Sequence, residues 1–182
     1  MDEIAKLISN TKTKIRTLDL VEISRLMTKY KEIYGSTDAL AKKLSLSKEM
    51  VREFLIVNQL PEEVKELIKT RKIDSVDAVK VIYSINGDKK RIEFANAILG
   101  LNTQEIRALH DLYVLGNMNL NKAKEIIIGA RNLRRYIYVI LLDEKSSKVI
   151  ENESAKRGKE PSTFLKEIIE DWIRRSANVN IK

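Results

Sequence analysis

Apolar residues recur at three- and four-residue intervals along most of this chain, a period that specifies helices. Leu20, Ile23, Leu26, Met27, Tyr30 and Ile33 make one such stripe, on a helix expected over about 18–34. Gly35 ends it, because a helix tends to close on a left-handed residue. Ser36 then stands as the N-cap of a short helix over about 37–44. Ser47 caps the next, whose apolar side is Met50, Val51, Phe54 and Leu55. Pro61 suits the first turn of a further helix, and Asp74-Ser75 caps another. After the turn Asn86-Gly87-Asp88, helices are expected over about 89–99, 103–115 and 121–130. Upstream, a first helix over about 2–9 leads into a basic stretch, 10–16, read as a linker or arm.

The period changes at one place. Arg134 to Leu142 is β-branched and aromatic, so it is read as a strand. Helices over 143–157 and 161–176 follow, separated at Gly158. The expected fold is therefore mostly α. An N-terminal helix or arm (1–17) precedes a multi-helix domain (18–132), and a β-α-α unit (133–182) ends the chain.

Composition removes several classes of chemistry. With no Cys among 182 residues, disulfides and thiolate metal sites are excluded. His110 is the single His, which leaves no His cluster for a metal and no His dyad. His110 and Asp111 are neighbours on a helix, where adjacent residues point apart, so no catalytic role is assigned to them. No catalytic group, cofactor or metal site is expected. The longest apolar run, Tyr136 to Leu142, is far below the roughly 20 residues of a membrane span. The acidic N-terminus lacks the basic and apolar regions of a signal peptide, so a cytoplasmic location is expected. The net charge of +8 points to a polyanionic partner, and nucleic acid is the usual one.

The run from Thr37 to Leu55 supplies a site for that partner. Two short helices joined by a tight turn must cross steeply, and the small Ala41 permits close approach. Leu40, Leu44, Val51 and Leu55 can fill the angle between them. The second helix then offers its first turns to a DNA major groove. The candidate contacts are Ser36 and Thr37 at the start of the first helix, and Ser47, Lys48, Glu49, Arg52 and Glu53 on the second. Arg52 has the fork to meet a guanine, and Glu53 can accept from cytosine N4. The turn position often held by Gly is Ser45, where a left-handed backbone carries a steric cost.

The context of this run extends from Val21-Glu22 through Tyr34-Gly35-Ser36-Thr37. Leu60-Pro61-Glu62-Glu63-Val64 and Ile73-Asp74-Ser75-Val76-Asp77-Ala78 follow it. Over about residues 18–130 this order resembles the central DNA-binding domain of the ParB/KorB partition proteins. The resemblance implies sequence-specific binding of double-stranded DNA by a dimer, in plasmid or viral partition (centromere binding) or transcriptional repression, with nucleoid or plasmid association. It also brings a partition ATPase as a further partner. The arginine-rich nucleotide motif found upstream in typical members has no match here, so CTP binding is not implied. No Walker lysine loop occurs, so the chain is not read as the ATPase itself.

The last 45 or so residues resemble a ribbon-helix-helix unit in their strand, Gly-broken helices and Pro161-Ser162 start. That resemblance implies a homodimer sharing a core of Tyr136, Tyr138, Ile140, Phe164, Ile168 and Trp172. Neither face of the expected strand is polar, which favours dimerisation over base reading; Arg134, Arg135, Tyr136 and Tyr138 would carry any ribbon contact to DNA. Two readings from other classes stay open. One is an adaptor whose helical domain binds a protein. The other is an antitoxin that neutralises a partner.

Overall fold

The computed structural model describes residues 3–13, 16–132 and 137–180. The chain divides into two compact units, Met1–Val139 and Ile140–Lys182.

The first unit is helical. Its elements are α1 (Glu3–Lys12), α2 (Leu20–Tyr34), α3 (Thr37–Leu44), α4 (Lys48–Leu55), α5 (Glu62–Lys69), α6 (Val76–Ser84), α7 (Asp88–Ala97), α8 (Thr103–His110) and α9 (Leu120–Asn132). A 3₁₀ turn, Ile56–Gln59, joins α4 to Leu60. Most starts are capped by a side chain that takes up a free N–H of the first turn. Asp19, Ser36, Ser47 and Ser75 each accept from the backbone N–H three residues on. Gly35 ends α2 at φ 80°, a conformation that only Gly adopts without steric cost.

The core follows the apolar stripe. Leu20, Ile23, Met27, Leu40, Leu44, Val51, Phe54, Val64, Ile68, Ile82 and Phe94 are all essentially removed from water. The α2 helix lies at the centre of the N-terminal half, touching α1, α3, α4 and α5. The stretch expected as a linker or arm is helical through Lys12 and anchored. Asn10 is 2% exposed, and its Oδ1 accepts from the N–H groups of Thr17 (2.7 Å) and Leu18 (2.8 Å). Polar, basic residues look solvated, which suggests a linker or arm; the buried Asn10, satisfying two backbone donors, instead places residues 10–12 in α1.

The helix expected over 103–115 changes character midway. Asn102 and Glu105 form a reciprocal capping box at its start. The α-helix stops at His110, and Asp111–Leu115 form a wider π turn. Phe94 sits under this bend, stacked on Tyr113 and edge-on to His110. Arg131 of α9 forks onto Glu105, with Nε 2.7 Å from Oε1 and Nη2 2.5 Å from Oε2, tying α9 to α8.

The second unit contains α10 (Glu144–Lys156) and α11 (Pro161–Asn180), packed on each other. Asp143 caps α10, accepting from Ser146 N–H at 2.6 Å. Phe164 is 5% exposed and lies beneath the Arg157 guanidinium, 4.8 Å from the ring centroid. No helix among the described residues is long and apolar enough to cross a membrane.

The expected strand is not found. Of its residues, 134–136, including Tyr136, lie outside the described part, and 137–143 carry no regular structure. No strand occurs among the described residues, so the β-α-α ribbon-helix-helix assignment is corrected to an α-helical pair. The physical reason is that a strand is a property of a pair. Val, Ile and Tyr favour extended backbone, but no second such run exists in this chain to complete a ladder.

Candidate nucleic-acid interface

The helix-turn-helix forms as its sequence requires. The α3 helix starts at Ser36, whose Oγ accepts from Ala39 N–H at 3.1 Å. It ends at Ser45, which adopts φ 54° and ψ 47°. The Ser45 and Leu46 N–H groups donate back to Lys42 O (3.2 Å) and Ala41 O (3.0 Å). Those two bonds satisfy the free carbonyls of the last turn and hold the non-Gly residue in its left-handed state. The α4 helix begins at once, with Ser47 Oγ accepting from Met50 N–H at 3.1 Å. A capping hydroxyl spends a lone pair and keeps its proton, so Ser36 and Ser47 can still donate to a phosphate or base.

The angle between the helices is filled by Leu40, Leu44 and Val51 as expected. Phe54 of α4 is buried too, and Leu55 is half-buried. Ala41 is 4% exposed at the crossing. Behind Phe54 lies Arg16, its guanidinium 5.9 Å from the ring centroid and its Nη1 donating to Asp74 O at 3.3 Å. A shallow cavity of about 520 Å³ opens between Met50, Glu53 and Phe54 of α4 and Ser75, Val76 and Asp77 at the start of α6.

The proposed DNA contacts all reach the surface. Ser36, Ser47, Glu49 and Arg52 are exposed, and Thr37, Lys48 and Glu53 are half-buried. Four of them, Lys48, Glu49, Arg52 and Glu53, are engaged by ion pairs. Lys48 Nζ lies 2.8 Å from Asp38 Oδ1, joining the first turns of α3 and α4. Arg52 Nη1 lies 3.7 Å from Glu49 Oε1. Glu53 Oε1 lies 2.6 Å from Lys80 Nζ on α6. The hydrogen bond from Lys48 holds the Asp38 carboxyl below its usual range, so it is ionised at neutral pH. Asp38 and Lys80 were missed by the sequence reading. Asp38 was visible in the first turn of α3, but its pairing with a residue ten positions on depends on the helix crossing.

Other candidates resolve differently. His110 does meet its neighbour, with Nδ1 3.1 Å from Asp111 Oδ1, and its Nε2 is 3.2 Å from Ser84 Oγ. The expectation that residues 110 and 111 point apart is therefore corrected: the helix widens at that step. The single Ser84 proton is also in reach of Val81 O at 2.7 Å, and the contact ties the ends of α6 and α8 together. Arg91 is structural, donating to Ile85 O (2.8 Å) and Tyr83 O (3.0 Å), while Lys89 and Lys90 are exposed. In the second unit Phe164 is spent within its own chain. Tyr138, Ile140, Ile168 and Trp172 expose between 44% and 78% of their surface. Among the described residues no group of His, Asp and Glu is placed to hold a metal ion.

A family model described as the ParB HTH domain matches residues 16–113, which is more than half of the chain. The match runs from Arg16, behind the recognition helix, to Tyr113 in the π turn, and includes all of α2 to α8. No curated protein matches the chain.

Proposed function

The chain belongs to the ParB helix-turn-helix domain family, a family of DNA-binding domains, and on that premise we propose that it binds specific double-stranded DNA sites as a homodimer. The observation that carries this reading is α4, capped by Ser47 and presenting Glu49, Arg52 and Glu53 outward from inside the matched region. Arg52 reads a base edge as a forked donor. Ser36, Thr37, Ser47 and Lys48 position the helix on the phosphate backbone.

Dimerisation has separate support. The second unit leaves Val149, Ile168, Ile169, Trp172 and Ile173 between 41% and 66% exposed. Ile168, Ile169, Trp172 and Ile173 recur at one- and four-residue spacing on one side of α11, and an exposed apolar patch of that kind marks an association surface. A second copy is its occupant in this reading, because paired half-sites let two recognition helices engage one duplex. The role we infer is that of a centromere-binding or operator-binding protein of a partition system or repressor circuit. A partition ATPase is the further partner the family brings.

Selection of duplexes from a random-sequence pool, followed by footprinting, tests the reading. An enriched inverted repeat is the expected outcome. With about 6–10 phosphate contacts, affinity should fall about 10³–10⁵-fold between 50 and 200 mM salt. Affinity independent of salt, with no enriched sequence, would support the adaptor reading instead.

A further inference from the structure

The outward face of the recognition helix has no net charge of its own. From Ser47 to Leu55 it carries two cations, Lys48 and Arg52, and two carboxylates, Glu49 and Glu53. Every one of the four has an ionic partner: Asp38 for Lys48, Glu49 for Arg52, and Lys80 for Glu53. A chain of net charge +8 thus meets DNA with a balanced reading element. Balance is a poor way to gain affinity for phosphate, since nonspecific binding is driven by cations that displace counterions.

Lys48 is the cation placed for that displacement, at the first turn of α4, and its ammonium is held from the other helix. Asp38 contacts it through both carboxylate oxygens, Oδ1 at 2.8 Å and Oδ2 at 2.9 Å. The carboxylate itself is well placed to persist, because it lies in the first turn of α3, where the helix N-terminus favours negative charge.

We propose that Asp38 is a charge filter on DNA binding: by holding Lys48 it weakens attachment to duplexes of any sequence, so that only a site that adds base-edge contacts is held firmly. The inference rests on the DNA-binding reading above. In the free protein the pair is exposed and weak, and it can open. On DNA the ammonium is contested between carboxylate and phosphate, so it releases less counterion than a free lysine. At the correct site, base-edge contacts from Arg52 offset that loss. At any other site nothing does. Asp38 is therefore a positioning residue that acts through Lys48, without touching a base.

The test uses the full-length chain and a 20-base-pair duplex of scrambled sequence, with binding followed by fluorescence anisotropy from 50 to 200 mM salt. Asp38→Asn keeps the side-chain shape and removes the charge. One freed cation should steepen the log affinity against log salt slope by about 0.9, which is roughly an eightfold gain at 0.1 M salt. The gain should vanish when Asp38→Asn is combined with Lys48→Gln and compared with Lys48→Gln alone. A role for Asp38 in folding alone would not steepen the salt slope. Unchanged or weaker scrambled-duplex binding by Asp38→Asn overturns the filter while leaving the DNA reading intact. So does a gain that persists without Lys48. A native chain that binds no duplex even at 50 mM salt overturns the DNA reading, and the filter falls with it.

Discussion

Glu53 and Lys80, 27 residues apart in sequence, meet at 2.6 Å and join the last turn of the recognition helix α4 to the middle of α6. The contact does two things. It ties α4 to α6, which also supplies Val76 to the cavity wall. It also occupies Glu53 Oε1, which leaves Oε2 as the oxygen that can accept from a cytosine. Arg52, by contrast, is held only loosely by Glu49 and is the freest forked donor on the helix.

Arg52→Ala is therefore expected to cost about 1–3 kcal/mol on the preferred duplex and to relax preference at one position per half-site. Binding to scrambled sequence should change little. Lys48→Ala should instead weaken preferred and scrambled duplexes alike. Competition binding with both variants distinguishes the two roles. A silent Arg52→Ala would remove α4 as the reading element.

On the homodimer proposed above, Trp172→Glu should yield a monomer. Trp172 is 66% exposed on α11, beside Ile168, Ile169 and Ile173, so a charge there leaves the chain's own packing intact and opposes burial by a second copy. Sedimentation equilibrium reads the change, and unaltered far-ultraviolet circular dichroism checks the fold. A variant that stays dimeric would place the interface elsewhere.

Ser45→Gly should stabilise the first unit by about 0.5–1 kcal/mol. Ser45 sits at φ 54°, where a Cβ costs about 1–2 kcal/mol, and part of the relief is lost to the greater freedom of Gly in the unfolded chain. Urea denaturation should show a higher midpoint with an unchanged slope. An unchanged midpoint would mean that the two turn hydrogen bonds already offset the strain.

Stability should fall in acid in part through Glu105. Its carboxyl is held below the usual range, first by hydrogen bonds from Arg131 and then by the Asn102 backbone N–H. A carboxylate depressed in the folded state stabilises in full above its unfolded value, roughly pH 4.3 for Glu. That contribution disappears as pH drops through the lower folded value. Melting temperature against pH should therefore decline more steeply below about pH 4.3 for the native chain than for Glu105→Gln. Parallel curves would show that the Arg131 fork contributes no pH-dependent stability.

Much of the helical unit was legible in advance. The stripe from Leu20 to Tyr30, the stop at Gly35 and the caps at Ser36, Ser47 and Ser75 all stand where the spacing put them. These signals are local. A helix closes each hydrogen bond within four residues, and a capping hydroxyl reaches three residues on. The left-handed state of Ser45 was legible for the same reason, since two short helices so closely joined leave the turn few conformations.

The run before α10 shows where local evidence ends. Val139, Ile140 and Leu141 have the residue types of a strand, yet a strand needs a second backbone beside it. The anchoring of Asn10 was hidden likewise, because the N–H groups that donate to its Oδ1 arrive from seven and eight residues further along.

By itself the sequence determined most of the helices of the first unit, the caps at Ser36, Ser47 and Ser75, and that α3 and α4 form a helix-turn-helix with a polar outer face. Only the tertiary structure decided which charges meet. Asp38 with Lys48, Glu53 with Lys80 and Glu105 with Arg131 are pairs 10, 27 and 26 residues apart. No periodicity relates such partners. Buried residues such as Ala41, Phe54 and Phe94 set how closely and at what angle the helices cross, and that geometry brings the charges within reach.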